Sequence, residues 1–337
     1  MMIFAFSAYK PMDDTLFGAN ETFCIKEQTQ LAKAGFIAKE REMLTISTPI
    51  KFNGGKINLE EDNSITLTQA QHCENLSIII SNPIDTISPR SKIRKSLGPK
   101  EQYVAQRVRG AYVGNTCQPE ASFDLSSSAQ IIDPTEKDIK QLNQRINWQI
   151  KNSYRGIKFV KLDEKSLKVI VFADSSFANN KDLSSQIGFI VILADKVSRA
   201  NIIHWSSTKC KRITRSVLAA ELYAMVHGFD SGATIKSTLE KILGIRITFI
   251  IFTDSKSLYE CLVKLGTIRE KRLMIDLMCL CQSYERREIS HICWVKGGCN
   301  PADAVTKSKC SNALRDLINT NTIKIHNNEW VEREETD

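Results

Sequence analysis

Residues 167–193 read LKVIVFADSSFANNKDLSSQIGFIVIL, and two runs inside this stretch decide the fold. Leu167 to Ala173 and Ile187 to Leu193 are dense in β-branched and aromatic residues, the composition of strands. Ala200 to Trp205 makes a third candidate strand, and three consecutive strands predict a meander. Working outward toward the C-terminus, Thr214 to Phe229 has a helical pattern and Ile245 to Phe252 (IRITFIIF) reads as a buried strand. Helices are expected over Ser255 to Leu265 and Arg269 to Arg286, then a last strand over Ile289 to Val295 and a short helix over Pro301 to Ser308, begun by Asn300. Three strands, helix, strand, helices, strand, helix is the order of a mixed sheet flanked by helices, an α/β architecture.

Upstream of Lys165 the texture differs. Residues 1–60 read as a small α+β piece: a hairpin-like opening, a helix near Glu21 to Ala34, and strands at Ile50-Lys51-Phe52 and Ile57-Asn58-Leu59 divided by Asn53-Gly54-Gly55. Ser81 to Pro99 turns to Ser, Pro and basic residues, as a linker does. Helical patterns then cover 101–130 and 135–150, taken as two helices joined at Ile132-Asp133-Pro134. The expected division is 1–80, 81–165, 166–310 and a tail, 311–337.

Charge and composition exclude little but narrow the setting. With 337 residues and 42% apolar content the chain is long enough for roughly two domains. A net charge of +8 permits a polyanionic partner without demanding one. Arg90, Lys92, Arg94, Lys95, Lys100, Arg107 and Arg109 face the single acid Glu101, either as a phosphate-tracking surface or as a solvated loop with a few structural arginines. Ten cysteines without a C-x-x-C suggest neither a zinc site nor a disulfide framework, so reduced intracellular thiols are expected. Met1 to Tyr9 is too short an apolar run for a span and lacks a basic leader, so neither membrane nor secretion is expected.

Four carboxylates stand where a charge costs free energy or needs a reason. Asp174 closes the strand LKVIVFA and Asp254 closes IRITFIIF, at the carboxyl ends where open α/β sheets bind ligands; Asp254 also suits a helix N-cap. Glu221 lies within an apolar stripe with Leu218, Leu222, Val226 and Phe229, where a carboxylate must be paired, metal-bound or protonated, unless it sits at the stripe's edge beside solvent or Arg215. Asp303 opens the last short helix, a position that simple helix-end electrostatics also favours. If the four meet at one end of the sheet they repel one another unless divalent cations sit among them. Oxygen-only ligation suits magnesium, and a pair of ions roughly 4 Å apart is the arrangement for in-line phosphodiester hydrolysis.

At these residues the sequence resembles the ribonuclease H domain of copia-type retrotransposon Pol polyproteins. The resemblance rests on FADSSFANNKDLSSQIGFIVIL, WSSTKCKRITRSVLAAELYAM, FTDSKSLYECL and NPADAVTK, and covers about residues 166–308. It implies a ribonuclease H-like five-stranded sheet whose first three strands are antiparallel. It also implies catalytic and metal-ligating roles for Asp174, Glu221, Asp254 and Asp303, two magnesium ions with manganese as a substitute, and an RNA–DNA hybrid as nucleic-acid partner. Association with other products of the element's polyprotein, in cytoplasmic virus-like particles, follows from the same likeness. Many ribonucleases H carry a histidine in the loop before the last aspartate; here Lys296-Gly297-Gly298-Cys299 stands there, and His291 is a poor substitute, which implies slower turnover. Further upstream, Met12-Asp13-Asp14-Thr15-Leu16 resembles the aspartate pair of a reverse transcriptase palm, with Pro11 at the usual tyrosine position. GAYVGNTCQPEASFDLSSSAQ, within Gln102 to Gln130, resembles the segment joining polymerase to nuclease in such elements. The resemblance makes 1–80 a truncated palm and thumb remnant; with no counterpart of the fingers or the third palm aspartate, Asp13 and Asp14 are expected to be relics and polymerisation is not expected.

Lys209, Lys211, Arg212 and Arg215 precede the Glu221 helix and could touch backbone phosphates or simply be solvated. Two other readings compete: a catalytically inactive nucleic-acid-binding remnant of a decayed element, and a doubly wound binding module with an acidic cation pocket. The last requires parallel strand order and gives Glu221 and Asp303 no role.

Overall fold

The computed structural model describes residues 16, 18–36, 41–80, 97–264, 271–309 and 311–323. The expected palm aspartates Asp13 and Asp14, and much of the basic run from Arg90, lie outside them.

The larger sheet has five strands: β5 (Lys168–Ser176), β6 (Gln186–Ala194), β7 (Ala200–Lys209), β8 (Thr248–Thr253) and β9 (His291–Trp294). Their spatial order is β7-β6-β5-β8-β9. The pairs β5–β6 and β6–β7 are antiparallel, whereas β8 lies parallel to β5 and β9 parallel to β8. This is the expected ribonuclease H-like mixed sheet, and the antiparallel first three strands exclude the doubly wound alternative.

Alternation along β5 sends Val169, Val171 and Ala173 to one face and Ile170 and Phe172 to the other. The first face packs against helix α6 (Val217–Leu243) and helix α8 (Met274–Glu285), through Leu222, Met225, Leu277 and Leu280. Ser216 caps α6, accepting from Ala219 N at 3.2 Å, and Gly244 ends it in the left-handed conformation at φ 66°. The helix lies close to the sheet because Gly232 has no side chain: a Cβ there would sit 2.5 Å from Val171 Cγ2. On the opposite face Phe172 stacks on Phe252 at 4.9 Å, and a 3-10 turn (Pro301–Val305) and helix α9 (Ala313–Thr320) close the core with Val305, Leu314 and Leu317.

A second, smaller sheet joins β1 (Ile50–Phe52), β2 (Gly55–Leu59), β3 (Ile65–Thr68) and β4 (Ile157–Phe159), all antiparallel. It follows α1 (Glu21–Lys33), whose cap is Asn20. Between β3 and β4 run a short helix α2 (Ala70–Glu74) and the helices α3 (Pro99–Thr116), α4 (Ser122–Ala129) and α5 (Glu136–Lys151). These helices have their own apolar centre around Tyr103, Leu125, Leu142 and Ile146. They also dock on the larger sheet. Trp205 Nε1 on β7 donates to Gly114 O and Ser122 Oγ, each at 3.1 Å, and Lys181 pairs with the buried Asp138 at 2.7 Å.

Several expectations need correction. The 101–130 pattern is two helices, because Pro119, lacking an N–H, opens a 3-10 turn between α3 and α4. The Glu221 helix runs fourteen residues beyond Phe229, to Leu243. Asp174 does not follow β5 but lies inside it, paired with Gly188. The segment after 310, set apart as a tail, contributes α9 and a bridge from Thr322 to Arg199, and Ala200 N donates to Asn321 O at 2.8 Å. Within the basic run, Lys100 pairs with Asp133 at 2.5 Å and Arg109 donates to Asn75 O at 3.3 Å, both at the exposed surface. No helix among the described residues is long and apolar enough to cross a membrane.

Candidate active site

Three elements of the larger sheet deliver carboxylates to one place. Asp174 comes from β5, Glu221 from the second turn of α6, and Asp254 from the residue after β8. One oxygen from each lies within 4.8 Å of the others. The fold enforces this meeting: β5 and β8 are adjacent and parallel in register Ala173↔Thr253, so the next residue on each strand reaches the same edge. Glu221 arrives from the helix that the glycine contact holds against Val171.

Asp174 and Glu221 are almost wholly buried. Burial first, then the charge of Asp254, push the Asp174 carboxyl up to about 7. The Glu221 carboxyl is raised well above its ordinary value by burial and by Asp174 and Asp254. Asp254 is also raised, chiefly by burial. Ser175 Oγ donates to Glu221 Oε1 at 2.7 Å, while Glu221 Oε2 is buried with no hydrogen-bond partner. Three crowded carboxylates, one of them with an unpartnered buried oxygen, are a group of donors that fits a hard divalent cation. Neither innocuous alternative survives for two of these residues. Arg215 is not the partner of Glu221, and the cap of α7 (Lys256–Val263) is Ser255, which accepts from Leu258 N, in place of Asp254.

Asp303 stands at the edge of this cluster, outside the group of three. It is buried in the 3-10 turn, accepting from Lys307 Nζ at 2.6 Å and from Ser311 N at 2.7 Å. Its field still reaches the others, raising Asp174 and Asp254. Lys307 is also 3.6 Å from Asp174 Oδ2, to which Thr306 Oγ1 donates. This turn approaches β5 over Gly188, where a Cβ would lie 2.7 Å from Val305 Cγ2 and 2.8 Å from Thr306 Cγ2. Asn300, fully buried, fixes the turn from its start, donating to Ala173 O at 3.0 Å and accepting from Ala302 N at 3.0 Å.

Sequence reasoning gave Ser175, Thr306 and Lys307 no role and Asn300 only a capping one. A signal existed for Lys307, since Asp303 and Lys307 form an i,i+4 pair. Ser175 had a weaker signal, the matched FADS and FTDS strings. His291 lies on β9, and Gly297 backs Asp254, with space for a Cβ only 3.1 Å from Asp254 Oδ2.

No protein-family model matches the chain. Among curated proteins it is 24% identical over 216 residues to the Transposon Ty1-ER2 Gag-Pol polyprotein of Saccharomyces cerevisiae, a match covering 63% of this chain and 11% of the polyprotein. The Ty1-JR2 Gag-Pol polyprotein of the same yeast matches over the same lengths, so the chain spans about a tenth of these relatives. Among solved structures, the N-terminal ribonuclease H domain of Rv2228c from Mycobacterium tuberculosis overlays 45% of this chain and 99% of its own, at 19% identity and a TM-score of 0.32. LC11-RNase H1 in complex with an RNA/DNA hybrid overlays 38% of this chain and 84% of its own, at 16% identity and a TM-score of 0.29. By its sequence relatives and by the strand order of its larger sheet, the chain is a homologue of Ty1/copia-type Gag-Pol polyproteins that fits a Pol fragment with a ribonuclease H domain.

Proposed function

We propose that the chain hydrolyses the RNA strand of RNA–DNA hybrids, as the nuclease part of a copia-type reverse transcriptase. The observation that carries this reading is the meeting of Asp174, Glu221 and Asp254 within 4.8 Å at one pole of the sheet, with Glu221 Oε2 buried and unpartnered. Such a cluster is repulsive by itself and makes sense around divalent cations.

Asp174, Glu221 and Asp254 would hold one side of the metal centre, and Asp303 would complete it. Two magnesium ions, or manganese in their place, supply a hydroxide nucleophile and neutralise charge on the departing ribose oxygen when bound. The protein's contribution is placement. Ser175 holds Glu221 through Oε1 and leaves Oε2 without a hydrogen bond, and Asn300 fixes the turn that carries Asp303. Lys209 is tied to Asp182, and Arg212 to Asp276 at 2.6 Å, whereas Lys211 and Arg215 carry no ion pair among the described residues. Lys211 and Arg215 are therefore the cations offered to backbone phosphates, with recognition by duplex shape and 2′-hydroxyls and no base preference. In this reading residues 1–80 are a palm and thumb remnant, 81–165 a connection and 166 onward the nuclease, with Leu314 and Leu317 of α9 in its core, and the chain works beside other products of the element's polyprotein.

The test uses the full chain, because the helices upstream of residue 152 are docked on the nuclease sheet. A labelled hybrid is incubated with magnesium, with EDTA, and with the Asp254→Asn protein. Cleavage of the RNA strand should require the metal and fall by roughly 100-fold or more in the variant. Equal rates for wild type and variant would leave the inactive-remnant reading in its place.

A further inference from the structure

The carboxylate cluster has two unlike sides. On one, Asp174, Glu221 and Asp254 bring an oxygen each within 4.8 Å of one another, and Lys307 makes no ion pair with Glu221 or Asp254. On the other, Asp174 and Asp303 are bridged by the Lys307 ammonium, 3.6 Å from Asp174 Oδ2 and 2.6 Å from Asp303 Oδ1. Asp174 belongs to both sides.

The lysine is held there by more than chance contact. Asp303 is fixed by the Ser311 N–H on its second oxygen, so its first oxygen is left to Lys307. Thr306, the residue before the lysine, donates to Asp174 and anchors the backbone from which the side chain springs. The Lys307 side chain nevertheless keeps 36% of its surface exposed, against 1% for Asp174, so it has a path to solvent that needs no repacking of the core.

We infer that Lys307 is a resident counter-cation that occupies the Asp174–Asp303 edge of the site, so that the free protein takes a divalent cation on the Asp174–Glu221–Asp254 side and takes a second only when Lys307 swings out. A point charge on a flexible stem suits this role, since it neutralises without demanding fixed geometry. The inference deepens the proposed metal centre and rests on it; Lys307 acts as a positioning residue.

The test counts cations on the full chain without nucleic acid. Manganese is titrated by calorimetry and by paramagnetic relaxation of water protons into wild type, Lys307→Met, Lys307→Gln and Lys307→Arg. Wild type and Lys307→Arg should bind one ion, whereas Lys307→Met and Lys307→Gln should bind a second or bind the first at least about tenfold more tightly, a change of roughly 1.4 kcal/mol. In EDTA the two neutral variants should melt below wild type, having lost the charge that offsets the acids. Lys307→Gln keeps a donor for Asp303 and serves if Lys307→Met does not fold. Identical stoichiometry and affinity in a folded neutral variant overturns the inference and leaves the metal centre standing. No manganese bound by wild type overturns both. A stoichiometry change together with no cleavage of hybrid in any condition keeps the counter-cation and removes the hydrolytic reading.

Discussion

In the larger sheet the central strands β5 and β8 are buried at every position after the first, whereas the smaller sheet is built of strands three to five residues long whose residues are mostly half-exposed. The larger sheet is covered on both faces; the smaller one takes one of its two edge strands from residues 157–159, far from the other three in sequence. All three carboxylates that meet belong to the first region, and none of the buried carboxylates lies on a strand of the second. Burying like charges side by side costs free energy, and only a densely packed frame holds such groups in fixed positions against their repulsion. Rigidity is also what positions ligands to within a fraction of an ångström.

The largest effect that sharpens this contrast is Phe252→Ala. Phe252 is fully buried and stacked on Phe172, one strand position from Thr253 and two from Asp254. Truncation should cost ~3–5 kcal/mol in denaturant unfolding, since the cavity lies in a frame that cannot collapse. A loss below about 1 kcal/mol would mean that the frame is softer than its burial indicates.

Next in size is the pH dependence of the metal-free protein. The Asp174 carboxyl is raised from 3.8 to about 7 by burial and by Asp254, so the folded chain holds its proton more tightly than the unfolded chain does. Its contribution is therefore complete below about pH 4 and is lost as pH rises through about 7. In EDTA, stability should fall across that interval by on the order of a few kcal/mol, and Asp174→Asn should flatten the profile. Saturating magnesium should remove the fall in wild type, because cations replace the proton. A flat wild-type profile in EDTA would show that the acids are not crowded in the free protein.

Much of this was legible before any coordinates, and for a physical reason. The strands of the larger sheet announce themselves by uninterrupted β-branched and aromatic runs, and Glu221 stands out because a carboxylate interrupts an apolar stripe. Other features leave no such local mark. Strand β4 is the three residues Ile157–Phe159, too short for any period to register, and its pairing with Ile65–Leu67 is a long-range contact. Asp174 reads as a strand terminus because Ser175 and Ser176 look like turn residues, yet both continue the ladder opposite Ile187 and Gln186. Lys307 has no mark that ties it to Asp174, since its position there depends on Gly188 letting the turn come close.

A third effect tests whether the upstream helices belong to the well-packed region. Gln186, on β6, is fully buried and donates to Ser126 Oγ of α4 and to Ser207 Oγ of β7, each at 2.9 Å, while accepting from Gln130 at 3.0 Å. Gln186→Ala strands these groups in the interface and should cost about 1–3 kcal/mol. It should also release α4, read as faster amide exchange over Ser122–Ala129 with little change in β5 and β8. Unchanged exchange in α4 would mean that the Trp205 and Lys181 contacts and apolar packing hold the helices without Gln186.

The smallest expected effect is the one that decides whether the contrast is real. Ile57 is half-buried on β2, between Ile50 of β1 and Leu67 of β3. Its side chain is only partly covered, so truncation removes apolar area without leaving an enclosed void. Ile57→Ala should therefore cost about 1 kcal/mol or less, well under the ~2–5 kcal/mol of a core isoleucine. Hybrid cleavage should not change, because no residue of the small sheet is among the carboxylates or their hydrogen-bond partners. If Ile57→Ala instead cost as much as Phe252→Ala, the short strands would be part of one cooperative core with the larger sheet. The half-exposed surface of β2 would then have to be covered by something other than the residues described here.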